Sequence, residues 1–149
     1  MKRPPTDLEL IEEIYHRYYS SYIDPRRLEK DRYAKLHVPI DIPALAEHFG
    51  VDSDIIFGRL HYHLNNKYGY EVSEGPGDGE RKTRVDLFLI RVGGDKHCVQ
   101  FPLLASLVAD LREQRNQYLW SLWLSIPAAI ISLISLTIAL TTCSAPASG

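Results

Sequence analysis

Apolar residues recur at three- and four-residue steps near the start of the chain, at Leu8, Ile11, Ile14, Tyr15, Tyr18, Tyr19 and Tyr22, which predicts an amphipathic helix over 6–22. Thr6 stands three residues before Glu9, the spacing at which a hydroxyl and a carboxylate cap a helix start reciprocally. The tyrosines are expected to pack on the domain with their phenol tips in water, a partner-binding aromatic face being the alternative. Asp24-Pro25 then opens a short helix of mixed charge over 25–35. Pro39 within the apolar stretch 36–40 predicts an edge strand, where no ladder hydrogen bond is asked of it.

From Asp41 onward the punctuation is denser. Residues 43–50 read as a short helix ended by Gly50, Val51-Asp52 as a turn, and 53–64 as a second helix that buries Ile56, Leu60 and Leu64. After Asn65-Asn66-Lys67-Tyr68-Gly69 come a strand over 70–73, a glycine-rich loop over 74–80 and a strand over 83–92. Gly93-Gly94-Asp95-Lys96 turns the chain into a last strand, 97–101.

This order resembles the winged helix-turn-helix superfamily over about residues 6–91. Ala46 lies four residues before the turn Gly50, Val51 follows that glycine, and strand, glycine-rich loop and strand follow as a wing would. The resemblance implies a second helix whose exposed N-terminal side meets DNA, and it places Asp52, Ser53, Asp54, Phe57, Gly58 and His61 there. Two carboxylates and a phenylalanine oppose contact with phosphate. The formal charge is zero over 53–72, and Arg81, Lys82 and Arg84 only balance the acids of the loop. Nucleic acid is therefore disfavoured, and Asp52, Asp54, Phe57, His61, Tyr62 and Tyr68 are the candidate face for a protein partner.

The pattern changes at Asn116, beyond which there is no Lys, Arg, Asp, Glu or His. The apolar run 119–140 is 22 residues long. At about 1.5 Å per residue it covers roughly 33 Å, against a hydrocarbon core of about 30 Å. Tyr118, Trp120 and Trp123 stand at one end as interfacial anchors, and nine residues follow the run, so a tail-anchored single-pass protein is expected. Leu104, Leu107, Val108 and Leu111 form a stripe after Pro102 with no breaker before Pro127, which predicts one helix of about 40 residues, near 60 Å long at about 1.5 Å per residue, joining the head rigidly to the bilayer. Within the span Ser121, Ser125, Ala128, Ser132, Ser135 and Ala139 form a seam of small residues suited to self-association; the alternative is that the serines bond their own helix backbone.

The expected organisation is an α+β winged-helix-like domain over 1–101, a juxtamembrane helix over 102–118, a transmembrane helix over 119–141 and a polar tail over 142–149. All 17 basic and 19 acidic residues precede Asn116, for a net charge of −2. The N-terminus lacks an apolar signal region, and Arg112 and Arg115 precede the run with no cation after it, so the head is expected to be cytoplasmic.

Catalytic chemistry is not expected. The two cysteines, Cys98 and Cys143, do not make a disulfide framework, and the six histidines include no Cys-x-x-Cys or His-x-x-x-His companion spacing. His61 and His63, two apart on a helix, point to different faces. Gly75, Gly77 and Gly79 lack the context of a phosphate loop, and there is no Gly-x-Ser-x-Gly. No cofactor or metal is anticipated. The leading expectation is a membrane-anchored protein-interaction or regulatory module that forms homo-oligomers. A membrane-tethered transcription regulator and a small membrane-active effector are the alternatives.

Overall fold

The computed structural model describes residues 3–24, 35–74 and 81–143; the side chains of 74, 81, 122, 124–133 and 136–143 lie outside the description. The described fold is mixed α+β, a small domain followed by a C-terminal helix. The chain forms two compact units, Met1–Asp110 and Leu111–Gly149.

Helix α1, Asp7–Ile23, starts as its sequence dictates. The Glu9 backbone N–H donates to Thr6 Oγ1 at 3.3 Å and the Thr6 N–H donates to Glu9 Oε2 at 2.7 Å, a complete capping box. It ends at Asp24, which precedes a proline and has left the helical region (φ −118°, ψ 87°). Its apolar face buries Leu10, Ile11 and Ile14. Tyr15, Tyr19 and Tyr22 close over Phe101, which stacks on Tyr15 and Tyr22 at centroid distances of 5.6 and 4.7 Å, while the Tyr18 hydroxyl accepts from the Asp41 N–H at 2.7 Å. That face is therefore largely a packing surface. The helix expected over 25–35 falls mostly outside the described residues.

Strand β1, His37–Pro39, leads into α2, Ile42–Phe49. Asp41 caps α2 by accepting from the Ala44 N–H at 3.0 Å, and Gly50 closes it in the left-handed conformation (φ 65°) that glycine adopts without strain. Asp52 caps α3, Ser53–Gly58. The helix then runs without a break through a π-helical segment, Arg59–Leu64, into α4, Asn65–Tyr68. Ile56, Leu60 and Leu64 are completely buried on it, as their four-residue spacing predicts. The helix does not stop at Leu64 as expected: it gains a turn because Asn65 folds inward and the Gly69 N–H caps the Asn65 carbonyl at 3.0 Å.

The strands are β2 (Tyr70–Glu74), β3 (Arg81–Val85), β4 (Phe88–Val92) and β5 (Asp95–Gln100). β2 and β3 pair antiparallel with Tyr70 opposite Val85 and Glu74 opposite Arg81, the hairpin expected around the glycine-rich loop, of which 75–80 lie outside the description. The single strand expected over 83–92 is in fact two. The chain breaks at Asp86-Leu87, where Leu87 turns fully inward, and β4 joins a separate sheet of order β1-β5-β4. The break is held by Asn65, the one buried polar side chain among the described residues. Asn65 Oδ1 accepts from the Phe88 N–H at 3.0 Å, and Asn65 Nδ2 donates to Asp86 Oδ1 at 3.2 Å.

Pro39 lies on the outer strand β1, opposite Cys98, as its missing donor requires. In β5 the strict in-out alternation fails: His97 has φ 53°, and Cys98 and Val99 beyond it are both buried.

Helix α5, Phe101–Cys143, begins one residue earlier than Pro102 predicts, at the expense of the last strand. Its first turns belong to the domain, with Phe101, Leu104, Leu107 and Val108 buried in the core. In the second unit, Trp120 and Trp123 are 71% and 74% exposed. Among the described residues no helix is long and apolar enough to cross a membrane. Most side chains of the apolar run, including Ser125, Ala128, Ser132 and Ala139 of the seam, lie outside the described residues; Ser121 and Ser135 are exposed.

Candidate interaction surface

The continuous helix 53–68 presents two chemically different regions. Along one line Arg59, His63 and Lys67 all reach a single acceptor, Asp7, in the first turn of α1, whose side chain is 15% exposed. Arg59 forms an ion pair with Asp7 Oδ1, while Lys67 Nζ and His63 Nε2 lie 2.7 and 3.3 Å from Oδ2. Burial raises the pKa of Asp7, but the hydrogen bonds from Lys67, His63 and Arg59 outweigh it and hold the group below the ordinary carboxylate range. The Asp7 carboxylate in turn raises the pKa of Lys67. The four-residue spacing of the three basic groups is visible in the sequence, but nothing there identifies Asp7 as their shared partner.

The other region carries most of the sequence-named face. Asp52 is exposed and occupied as a cap, accepting from the Asp54 N–H at 2.8 Å. Asp54 is exposed, and its carboxylate has no partner among the described residues. Phe57 is half-buried and sits at the centre of a ring cluster: His61 stacks on it at 5.4 Å, while Tyr62, Phe88 and His97 present edges at 6.5, 5.9 and 6.0 Å. Tyr62 is 66% exposed. Tyr68 stands apart at the far end of the helix, half-buried, with the Lys67 ammonium 5.0 Å from its ring centroid. The structure thus brings Asp54, Phe57, His61 and Tyr62 together and separates Tyr68 from them.

Sequence reasoning missed His97. It reaches the cluster from β5, stacked on Phe88 at 6.2 Å and 15°, and its carbonyl accepts the Ile40 N–H at 2.9 Å. With Ile42, Pro43, Ser53, Asp54 and Phe57 it lines a cavity of about 350 Å³. No short-range signal in the chain joins residue 97 to residue 57. Among the described residues no group of three or more His, Cys, Asp or Glu side chains is placed to hold a metal ion.

The chemistry of the surface is therefore an acidic and aromatic patch beside a basic row already engaged by a carboxylate. Compared with known proteins, the chain matches no family model, no curated protein and no solved structure.

Proposed function

We propose that this chain is a membrane-anchored protein whose N-terminal domain is a winged-helix-like protein-interaction or regulatory module. The observation that carries the interaction reading is the state of the helix 53–68. Asp52, Asp54, Ile55 and Tyr62 are exposed around a half-buried phenylalanine, while Arg59, His63 and Lys67 are committed to Asp7. A DNA-reading helix needs free cations where this one has carboxylates. Exposed tyrosine and partly exposed phenylalanine are the side chains that anchor protein contacts. The winged-helix likeness draws support from two helices joined at Gly50 and from the sheet of order β1-β5-β4, whose first strand precedes those helices and whose other two follow them.

The anchor reading draws on the charge-free run 119–140, with the exposed Tyr118, Trp120 and Trp123 at its start. Arg112 and Arg115 precede it, which by the positive-inside rule favours a domain on the cytoplasmic side. The small-residue seam supplies a surface for self-association within the bilayer.

A photocrosslinking residue placed at position 62 in the full chain, with one at position 91 on β4 as the control, tests the interaction reading. A discrete protein adduct at 62 and none at 91 is expected. Crosslinking of DNA at 62 would make the domain a membrane-tethered regulator instead.

A further inference from the structure

We propose that the exposed side of the helix 53–68 pairs with the same helix of a second copy of this chain, antiparallel and crossing beside Gly58. The inference rests on the interaction-module reading and names its partner. Two large apolar side chains stand open on this side, Ile55 at 44% and Tyr62 at 66% exposure, and Gly58 lies between them. Asp54, Gly58 and Tyr62 follow at four-residue steps along one line of the helix, with Ile55 beside it.

Gly58 has helical angles (φ −59°, ψ −41°), and a Cβ placed on it would meet nothing within 4 Å. No turn and no neighbour within the domain asks for a glycine there, and glycine weakens a helix interior. Its missing side chain leaves a flat spot on the outer surface between Ile55 and Tyr62. A second helix can approach there to about 8 Å, the close limit for packed helices.

The charges on this side select the occupant. Asp52 and Asp54 stand at the start of the helix, and His63 and Lys67, both half-exposed, stand beyond Tyr62 toward its end. Asp7 engages those basic groups, but Arg59 and Lys67 set two positive charges against its single negative one, so the end of the helix stays electropositive. An acidic start and a basic end make the surface complementary to its own reverse. A two-fold axis beside Gly58 turns Asp54 of each copy toward the His63–Lys67 end of the other and sets Ile55 of each on Tyr62 of the other, so that every contact is made twice. A parallel copy would bring like charges together.

The test is disulfide trapping between two differently tagged full chains made in the same cells, one carrying Ile55→Cys and the other Tyr62→Cys, both with Cys143→Ser; the native Cys98 is buried. Whole cells are treated with copper phenanthroline. The mixed 55–62 disulfide is expected, because the opposite Ile55–Tyr62 pair stays intact in that dimer. Pairs 55–55 and 62–62 are not, because seven residues of helix set each about 10 Å apart, beyond the reach of about 7 Å between Cα atoms. Gly58→Gln, a better helix former than glycine, should keep the thermal unfolding of the domain and cut the 55–62 yield at least about fivefold by filling the crossing point. Asp54→Lys should lower it as well. Equal yields from the three pairings, or a yield unchanged by Gly58→Gln, would overturn the pairing. An adduct at position 62 with a different protein, without the 55–62 disulfide, removes the self-pairing and leaves the interaction module standing. Neither adduct nor disulfide removes both.

Discussion

The side-chain oxygen of Asn65 accepts the backbone N–H of Phe88 at 3.0 Å, and through that bond one buried carboxamide holds the break that divides the ten-residue stretch 83–92 between two strands. Asn65→Ala leaves the Phe88 N–H buried without a partner, at a cost of about 1–3 kcal/mol. In a domain of this size that lowers Tm by roughly 4–8 °C per kcal/mol. Asp86→Asn, which leaves the Phe88 bond in place, should cost less. Thermal unfolding of the two variants checks the order.

Gly69 and Gly58 make an opposed pair. A Cβ on Gly69 would come within 2.5 Å of the Asn65 carbonyl and 3.3 Å of the Val85 carbonyl, both backbone atoms that cannot turn aside. Gly69→Ala should therefore destabilise the domain and disturb the β2–β3 hairpin. Gly58 is helical (φ −59°, ψ −41°) with open space around it, so Gly58→Ala should stabilise by about 0.5–1 kcal/mol. Chemical denaturation of both variants reads the opposite signs.

Acid should weaken the fold through the start of α1. The Arg3 guanidinium and the Thr6 donors pull Glu9 from an ordinary 4.5 down to about 2, and Asp7 is also held low by its three basic partners. Both carboxylates bind protons more weakly folded than unfolded. Their contribution is complete above the ordinary carboxylate range and is lost as pH falls toward 2. Asp7→Asn should flatten the acid limb of a stability–pH curve between those limits more than Glu9→Gln, because Glu9 is solvent-exposed and screened.

The elements governed by local chemistry were legible in the sequence. Thr6 with Glu9, Asp41, Gly50 and Asp52 each mark a helix end with their own hydrogen-bonding or conformational preference, and the spacing of Ile56, Leu60 and Leu64 names the buried face. The errors arose where a distant residue decides. Asn65 looks like a linker residue until its partners, 21 and 23 positions later, are in place. An aromatic side chain suits core and surface alike: Phe57 proved half-buried within a ring cluster and Tyr62 exposed, and only the fold separates them. His97 joined the candidate surface through a left-handed backbone that no local pattern announces.

The seam predicts a specific response in the bilayer. Replacing Ser125, Ala128 and Ser132 together with leucine should hold neighbouring helices apart while leaving the run apolar enough to insert. Changing Leu124, Ile130 and Ile131 to alanine, away from the seam, should matter less. Site-specific crosslinking in native membranes compares the two triple variants, and equal yields from both would remove any packing role for the stripe.

The central claim is a domain held at a bilayer by the run 119–140, on the side where Arg112 and Arg115 lie. Protease protection of the full chain in sealed native membranes, followed by alkaline carbonate extraction, measures this directly. The account predicts that external protease, applied from the cytoplasmic side, removes the domain while a fragment containing Trp123 to Leu140 stays with the membrane through extraction. Release of the intact chain into the carbonate supernatant would contradict it.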